Sequence, residues 1–295
     1  MKNTIFTGAG VAIVTPMNDD MSVNFKKLGE LIDFNIDNGT DAIIICGTTG
    51  ESSTLTDEEH VECIRFAVEH TNKRVPVIAG TGSNDTRYAI FLSKEAEALG
   101  VDALLVVTPY YNKTSQKGLI AHFTAIADSV DIPIILYNVP SRTGINISVE
   151  AYSELSKHKN IVATKEASGN ISHIAQIFAE CGDRLDVYSG NDDQIVPIMA
   201  LGGKGVISVI ANCMPKETHE ICRLCLENNY PDAAKLSSLL LEFTNKLFID
   251  VNPIPVKEAL NLMGKNVGST RLPLVPLSDK ARDTLKTSMQ KIKLI

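Results

Sequence analysis

Ile132-Pro133-Ile134-Ile135-Leu136-Tyr137 is followed, one helical pattern later, by Ile161-Val162-Ala163-Thr164-Lys165. Neither run alternates apolar with polar residues, and continuous apolar runs of this kind are what strands covered on both faces look like. Six more runs of the same character lie outward from this pair. Before it come Gly10-Val11-Ala12-Ile13-Val14, Ala42-Ile43-Ile44-Ile45-Cys46, Val75-Pro76-Val77-Ile78-Ala79 and Ala103-Leu104-Leu105-Val106-Val107. After it come Leu185-Asp186-Val187-Tyr188-Ser189 and Val206-Ile207-Ser208-Val209. A spacing of about 25–30 residues is the βα period of a parallel sheet. Eight such strands could close into a barrel or stay open as a doubly wound sheet. No Gly-x-Gly-x-x-Gly follows the first strand and the spacing is even, so the predicted fold is α/β, a (β/α)8 TIM barrel.

The intervening segments carry helix signals. Thr56-Asp57-Glu58-Glu59 has the form of a capping box, and Leu99-Gly100 supplies a stop for a helix beginning near Asp85. Beyond residue 230 the strand signals cease. Leu236, Leu239, Leu240, Phe243 and Leu247 form a helical stripe, and Ser278 caps a helix with Ala281, Leu285, Met289 and Ile292 on one face. The chain therefore divides into a catalytic barrel over 1–229 and a helical extension over 230–295. A length of 295 residues suits one barrel of roughly 200–250 residues with such an appendage.

Composition narrows the function classes. Twenty-eight basic against 35 acidic residues give a net charge of −7 with no basic cluster, which disfavours a nucleic-acid partner. No apolar run approaches the ~18 residues of a membrane span. The segment Met1 to Phe6 lacks the apolar stretch of an export signal. Cys46, Cys63, Cys181, Cys213, Cys222 and Cys225 lie largely within apolar or helical patterns, so a reducing, cytoplasmic setting is expected. Cys222-x-x-Cys225 has no second pair at zinc spacing and His219-Glu220 has no following histidine in register, so no metal is expected. Gly202-Gly203-Lys204-Gly205 precedes a strand and reads as a tight turn.

Parallel barrels carry their chemistry at the carboxyl ends of the strands. Those ends are rich in hydroxyls and hold one lysine within an apolar strand, Lys165. Strand parity places Ile161, Ala163 and Lys165 on one face. An amine there is drawn out of water, which favours the neutral form that attacks carbonyls to make a Schiff base. Lys165 could instead snorkel or form an ion pair with Glu166. Tyr137 ends the preceding strand, beside the amine, and can carry protons; Thr48 and Tyr111 could extend it into a chain of hydroxyls. Either tyrosine could equally be plain packing. Arg142, placed on a loop just past Tyr137, can grip a carboxylate or stand solvated. Gly47-Thr48-Thr49-Gly50 is suited to binding a carboxylate through amides and hydroxyls, and it lacks the Lys-Ser or Lys-Thr of a phosphate loop.

Several motifs together resemble the dihydrodipicolinate synthase family of pyruvate-dependent aldolases along nearly the whole chain. They are Gly47-Thr48-Thr49-Gly50-Glu51, Pro109-Tyr110-Tyr111-Asn112, the run Tyr137 to Gly144, and Lys165-Glu166-Ala167-Ser168-Gly169. In the extension they are Asn252-Pro253-Ile254-Pro255-Val256-Lys257 and the run Arg271 to Leu277. The resemblance implies that Lys165 condenses with pyruvate and that the enamine attacks L-aspartate 4-semialdehyde, giving 4-hydroxy-tetrahydrodipicolinate for lysine and diaminopimelate biosynthesis. It implies a proton relay of Tyr137, Thr48 and Tyr111, with Tyr111 reaching across the interface of a dimer or tetramer. Thr49 and Thr48 match pyruvate-carboxylate contacts, Arg142 the arginine for the semialdehyde carboxylate, and Gly190 and Ile207 backbone contacts near substrate. No organic cofactor is implied, only the covalent imine on Lys165.

Two alternatives share this outline: an aldolase of the N-acetylneuraminate lyase type, against which Arg142 argues, and a non-catalytic barrel that binds keto acids. Ser52, His60, Asn84 and Tyr110 match parts of the allosteric pocket of family members inhibited by lysine. Asp57 stands where those members often have histidine and Tyr88 where they have an acidic residue. Losing that acceptor removes a charge-assisted bond, so weak or absent lysine feedback is expected. Thr114 replaces a common proline, with no consequence drawn from it.

Overall fold

A computed structural model of the chain describes residues 4–295. Met1, Lys2 and Asn3, on which part of the N-terminal reading rests, lie outside the described residues. Eight strands run β1 (Gly8–Ala12), β2 (Ala42–Ile45), β3 (Val77–Gly80), β4 (Ala103–Val107), β5 (Ile134–Asn138), β6 (Ile161–Glu166), β7 (Asp186–Ser189) and β8 (Gly205–Ser208). All pair in parallel in chain order, and β8 returns to β1, so the sheet closes. The two predicted runs containing Pro76 and Pro133 become strands only after the proline, which has no amide hydrogen for the ladder.

The helices follow the strands: α1 (Phe25–Asp37), α2 (Asp57–Thr71), α3 (Thr86–Ala98), α4 (Gln116–Ala127), α5 (Pro140–Thr143) with α6 (Val149–Leu155), α7 (Ile171–Cys181), α8 (Ile195–Ala200) and α9 (Pro215–Leu226). The box at α2 forms as expected: Thr56 Oγ1 accepts from the Glu59 amide, and the Glu59 carboxylate accepts from the Thr56 amide. Gly100, just past α3, takes φ +84°, and Gly202 to Gly205 turn into β8. Cys222 and Cys225 both sit on the buried face of α9, and all six cysteines are buried free thiols.

After the barrel closes come α10 (Tyr230–Lys246), α11 (Ile254–Leu262) and α12 (Asp279–Lys291), the last capped by Ser278. Leu240, Phe243 and Leu247 are buried as the stripe predicts, but Leu239 at its edge is 65% exposed. No helix of the described residues is long and apolar enough to cross a membrane.

Two apolar layers result. The outer one lies between strands and helices. The inner one fills the barrel with Ala12, Ala42, Ile44, Ile78, Ala103, Leu105, Ile135 and Ile207. Phe6 stacks on Tyr188 at 4.4 Å between ring centroids, and the Tyr188 hydroxyl donates to the Phe6 carbonyl at 2.7 Å. At the closing seam, β1 and β8 approach so tightly that a Cβ on Gly205 would lie 1.8 Å from the Gly8 carbonyl oxygen.

Strand β6 corrects one expectation. Ile134 pairs with Ile161, yet Ile135 pairs with Ala163, so β6 carries an extra residue. This bulge sends Ile161 to the outer layer while Val162 and Ala163 both join the inner one. Strict parity from Ile161 to Lys165 therefore fails at its first residue and holds from Ala163 onward.

Candidate active site

Lys165 pairs in register with Tyr137 of β5 on one side and Tyr188 of β7 on the other. It is only 5% exposed, and its Nζ stands 4.4 Å from the centroid of the Tyr137 ring. The pleat sends its neighbour Glu166 the other way, into the layer beneath α6. There the carboxylate accepts from Asn138 Nδ2 at 2.7 Å, the Ser168 amide at 3.1 Å and the Tyr152 hydroxyl at 3.5 Å. The alternative of a Lys165–Glu166 ion pair is thereby excluded. Burial pushes the Glu166 carboxyl up to about 7, against the lowering effect of those hydrogen bonds.

Arg142 is on the single turn α5 and not on a loop as the sequence suggested. Pro140 begins that turn where no amide donor is needed, and Gly144 ends it at φ +69° with its amide on the Pro140 carbonyl. Arg142, Thr48, Val107 and Val139 line a cavity of 590 Å³ at the strands' carboxyl ends. Ser52, His60, Tyr88 and Tyr110 line the same cavity, so most of the expected allosteric residues adjoin the candidate site. Asn84 is outside that lining; its carbonyl accepts from Asn112 Nδ2 at 3.0 Å. His60 Nε2 is 2.8 Å from the Gly80 carbonyl, and burial lowers its pKa.

Lys165 and Tyr137 are not among the residues lining this cavity, and Tyr111 lies farther out. It is 92% exposed, with a left-handed backbone at φ +70°, and is not part of the cavity wall. Gly190 extends the ladder by donating to the Glu166 carbonyl at 2.8 Å, and Ile207 is buried inside the barrel.

The extension supplies contacts that local sequence reading missed. Asn252 Nδ2 donates to Thr49 Oγ1 at 3.0 Å, while its carbonyl accepts from the Arg142 guanidinium at 3.2 Å. One residue from the last quarter of the chain thus touches both candidate carboxylate contacts. Below it, buried Lys257 donates to Glu51 Oε1 at 2.8 Å and to the carbonyls of Thr15 and Ser269 at 3.0 and 2.6 Å. Glu51 has a left-handed backbone at φ 55° and takes the Arg271 amide on its other oxygen at 2.9 Å. These bonds hold the Gly47-to-Glu51 turn from behind. Asp192, also missed, accepts the Val209 and Ile210 amides at 3.0 Å each and so ties the loop after β7 to the turn after β8. Burial raises its pKa, against hydrogen bonds from the Ser208 hydroxyl and the Ile210 and Val209 amides. The motifs in the extension include Asn252, Lys257 and Arg271, but no local pattern assigns their contacts, because the partners lie far along the chain.

A closed (β/α)8 barrel with one buried lysine beside a tyrosine at the strand ends has the site of a Schiff-base lyase. Within that class the kin are specific. The model of the dihydrodipicolinate synthetase family matches residues 5–292, and the chain belongs to that family. It is 60% identical over 292 residues to 4-hydroxy-tetrahydrodipicolinate synthase of Lachnoclostridium phytofermentans, covering 99% of each chain. The enzyme of that name from Caldicellulosiruptor saccharolyticus is 58% identical over 285 residues, 97% of this chain and 96% of that one. Among solved structures, the chloride-inhibited dihydrodipicolinate synthase of Acinetobacter baumannii complexed with pyruvate superposes with a TM-score of 0.97. It shares 44% identity, covering 99% of this chain and 100% of that one.

Proposed function

We infer that this chain is a lyase that condenses pyruvate with L-aspartate 4-semialdehyde to give 4-hydroxy-tetrahydrodipicolinate, a step of lysine and diaminopimelate biosynthesis. The observation that carries the reading is a lysine 5% exposed at the mouth of the barrel, cross-strand from Tyr137. Its amine attacks the pyruvate ketone and expels water, forming an imine; loss of a methyl proton gives the enamine. The enamine carbon then bonds to the aldehyde carbon, whose oxygen takes up a proton. The substrate amine closes onto the imine carbon and the lysine leaves. In this reading Tyr137 and Thr48 carry these protons, Thr48 and Thr49 meet the pyruvate carboxylate, and Arg142 meets that of the semialdehyde. Gly190 and Ile207 would border the bound substrate. The iminium itself is the electron sink, so the scheme calls for no metal or organic cofactor.

The exposure of Tyr111 supports a homo-oligomer, dimer or tetramer, in which this ring enters a neighbouring copy's site and completes the relay. Six buried free thiols support a cytoplasmic setting.

The test is to add pyruvate, reduce with borohydride and locate the adduct by mass spectrometry. The expected mass gain is on Lys165; an adduct elsewhere, or none, removes the reading. Turnover with aspartate semialdehyde against sugar aldehydes then separates this activity from that of an N-acetylneuraminate lyase.

A further inference from the structure

Directly behind the Tyr137–Lys165 pair lies a second cross-strand pair. Asn138 and Glu166 are the next residues of β5 and β6, in register with each other and both fully buried on the outer face of the barrel. The Asn138 carboxamide donates to Glu166 Oε1 at 2.7 Å and to Oε2 at 3.3 Å. Among the described residues no cation pairs with this carboxylate; the Ser168 amide and hydroxyl and the Tyr152 hydroxyl also donate to it. A buried carboxylate without a counter-ion is costly unless its hydrogen bonds hold it.

Those bonds reach the segments that carry Tyr137, Lys165 and Arg142. Asn138 continues the strand of Tyr137, and Ser168 begins the loop after Lys165. Asn138 Nδ2 also lies 2.7 Å from Asn146 Oδ1, and its own oxygen accepts the Ile147 amide at 3.2 Å. That anchors the segment just past Arg142 and Gly144. Tyr152 of α6 closes the network from outside, its hydroxyl 3.1 Å from Thr164 Oγ1 of β6.

We propose that Asn138 and Glu166 are positioning residues: their buried pair fixes the strands so that the Lys165 amine and the Tyr137 ring keep their working separation. They touch no substrate. β6 enters the barrel out of step with β5 at the bulge between Ile161 and Ala163, and the Asn138–Glu166 pair fastens the regained register at the far side of Tyr137 and Lys165. The inference rests on Lys165 being the imine-forming amine.

The experiment compares wild type, Glu166→Gln, Asn138→Asp and the double variant, each checked for native circular dichroism. Imine trapping with pyruvate and borohydride is measured alongside kcat and KM. Asn138→Asp sets two carboxyl groups against each other, and Glu166→Gln puts an NH2 where one carboxylate oxygen accepted from Asn138 or Tyr152. For each single change a fall in kcat of ten- to a hundredfold is expected, with the KM for pyruvate within about threefold. The double variant reverses donor and acceptor and should recover at least a third of the wild-type kcat. Singles that keep kcat within twofold overturn the proposal, as does a double no better than the worse single. Should Glu166→Gln not fold, Asn138→Ala removes the donor without adding a charge and carries the same expectation for kcat. Failure of wild type to trap pyruvate on Lys165 would instead count against the proposed activity.

Discussion

The Lys165 amine faces the ring of Tyr137 at 4.4 Å, and the two residues are direct cross-strand partners. The ring therefore packs against the amine, while the hydroxyl is the part available for chemistry. Tyr137→Phe separates these roles. It is expected to keep stability within about 1 kcal/mol, as exposure and packing barely change. It should lower kcat by roughly 10²–10⁴-fold, the usual worth of a positioned proton carrier. Steady-state kinetics beside a thermal melt check both halves.

Glu166 imposes a pH dependence on stability. Its carboxyl ordinarily titrates at 4.5 and burial raises it to about 7 in the folded chain. Between those values the folded state holds a proton that the unfolded state has released. Stability from this group is thus complete below pH 4.5 and is lost as pH rises toward 7, by about 3 kcal/mol at most. Urea unfolding of wild type and Glu166→Gln across that window should show the slope in the first and a flatter profile in the second.

The Lys257–Glu51 pair is 2% exposed on both sides and joins the extension to the turn after β2. Truncation of one partner leaves a buried charge unmatched, so Lys257→Ala is expected to cost about 3–5 kcal/mol in denaturant unfolding. Pyruvate binding should weaken with it, since the Gly47-to-Glu51 turn loses its support. A stable variant with unchanged pyruvate affinity would refute the coupling.

The Tyr88 hydroxyl donates to Asp57 Oδ1 at 2.6 Å beside the cavity shared with Ser52, His60 and Tyr110. The Asp57 carboxylate is thus already engaged, and Tyr88 presents no acceptor charge to an amine effector. Lysine is expected to leave activity largely intact at sub-millimolar concentration. An inhibition curve with half-loss in that range contradicts the prediction, whereas a gain of sensitivity in Asp57→His with Tyr88→Glu supports it.

Much of this site is legible in the chain because it is built on strands. Lys165, Tyr137 and Thr48 stand at or just beyond strand ends that apolar runs announce, and a closed barrel brings strand ends together. Arg142 was identifiable as a residue, but its helical turn was hidden in four positions bounded by Pro140 and Gly144. The bulge at Ile161 was invisible, since one extra residue in an apolar run leaves the pattern apolar.

Periodicity and turn chemistry by themselves determined the eight strands, the capped helices and the lysine set among apolar neighbours, because each depends on residues close in sequence. Tertiary structure alone decided that Asn252 and Lys257 reach the turn at Thr49 and Glu51, that Glu166 faces Asn138 and not Lys165, and that Tyr111 stands outside its own chain's cavity. Those outcomes follow from barrel closure and strand register, which set together side chains as far as 203 and 206 positions apart, and no local window of sequence contains both partners.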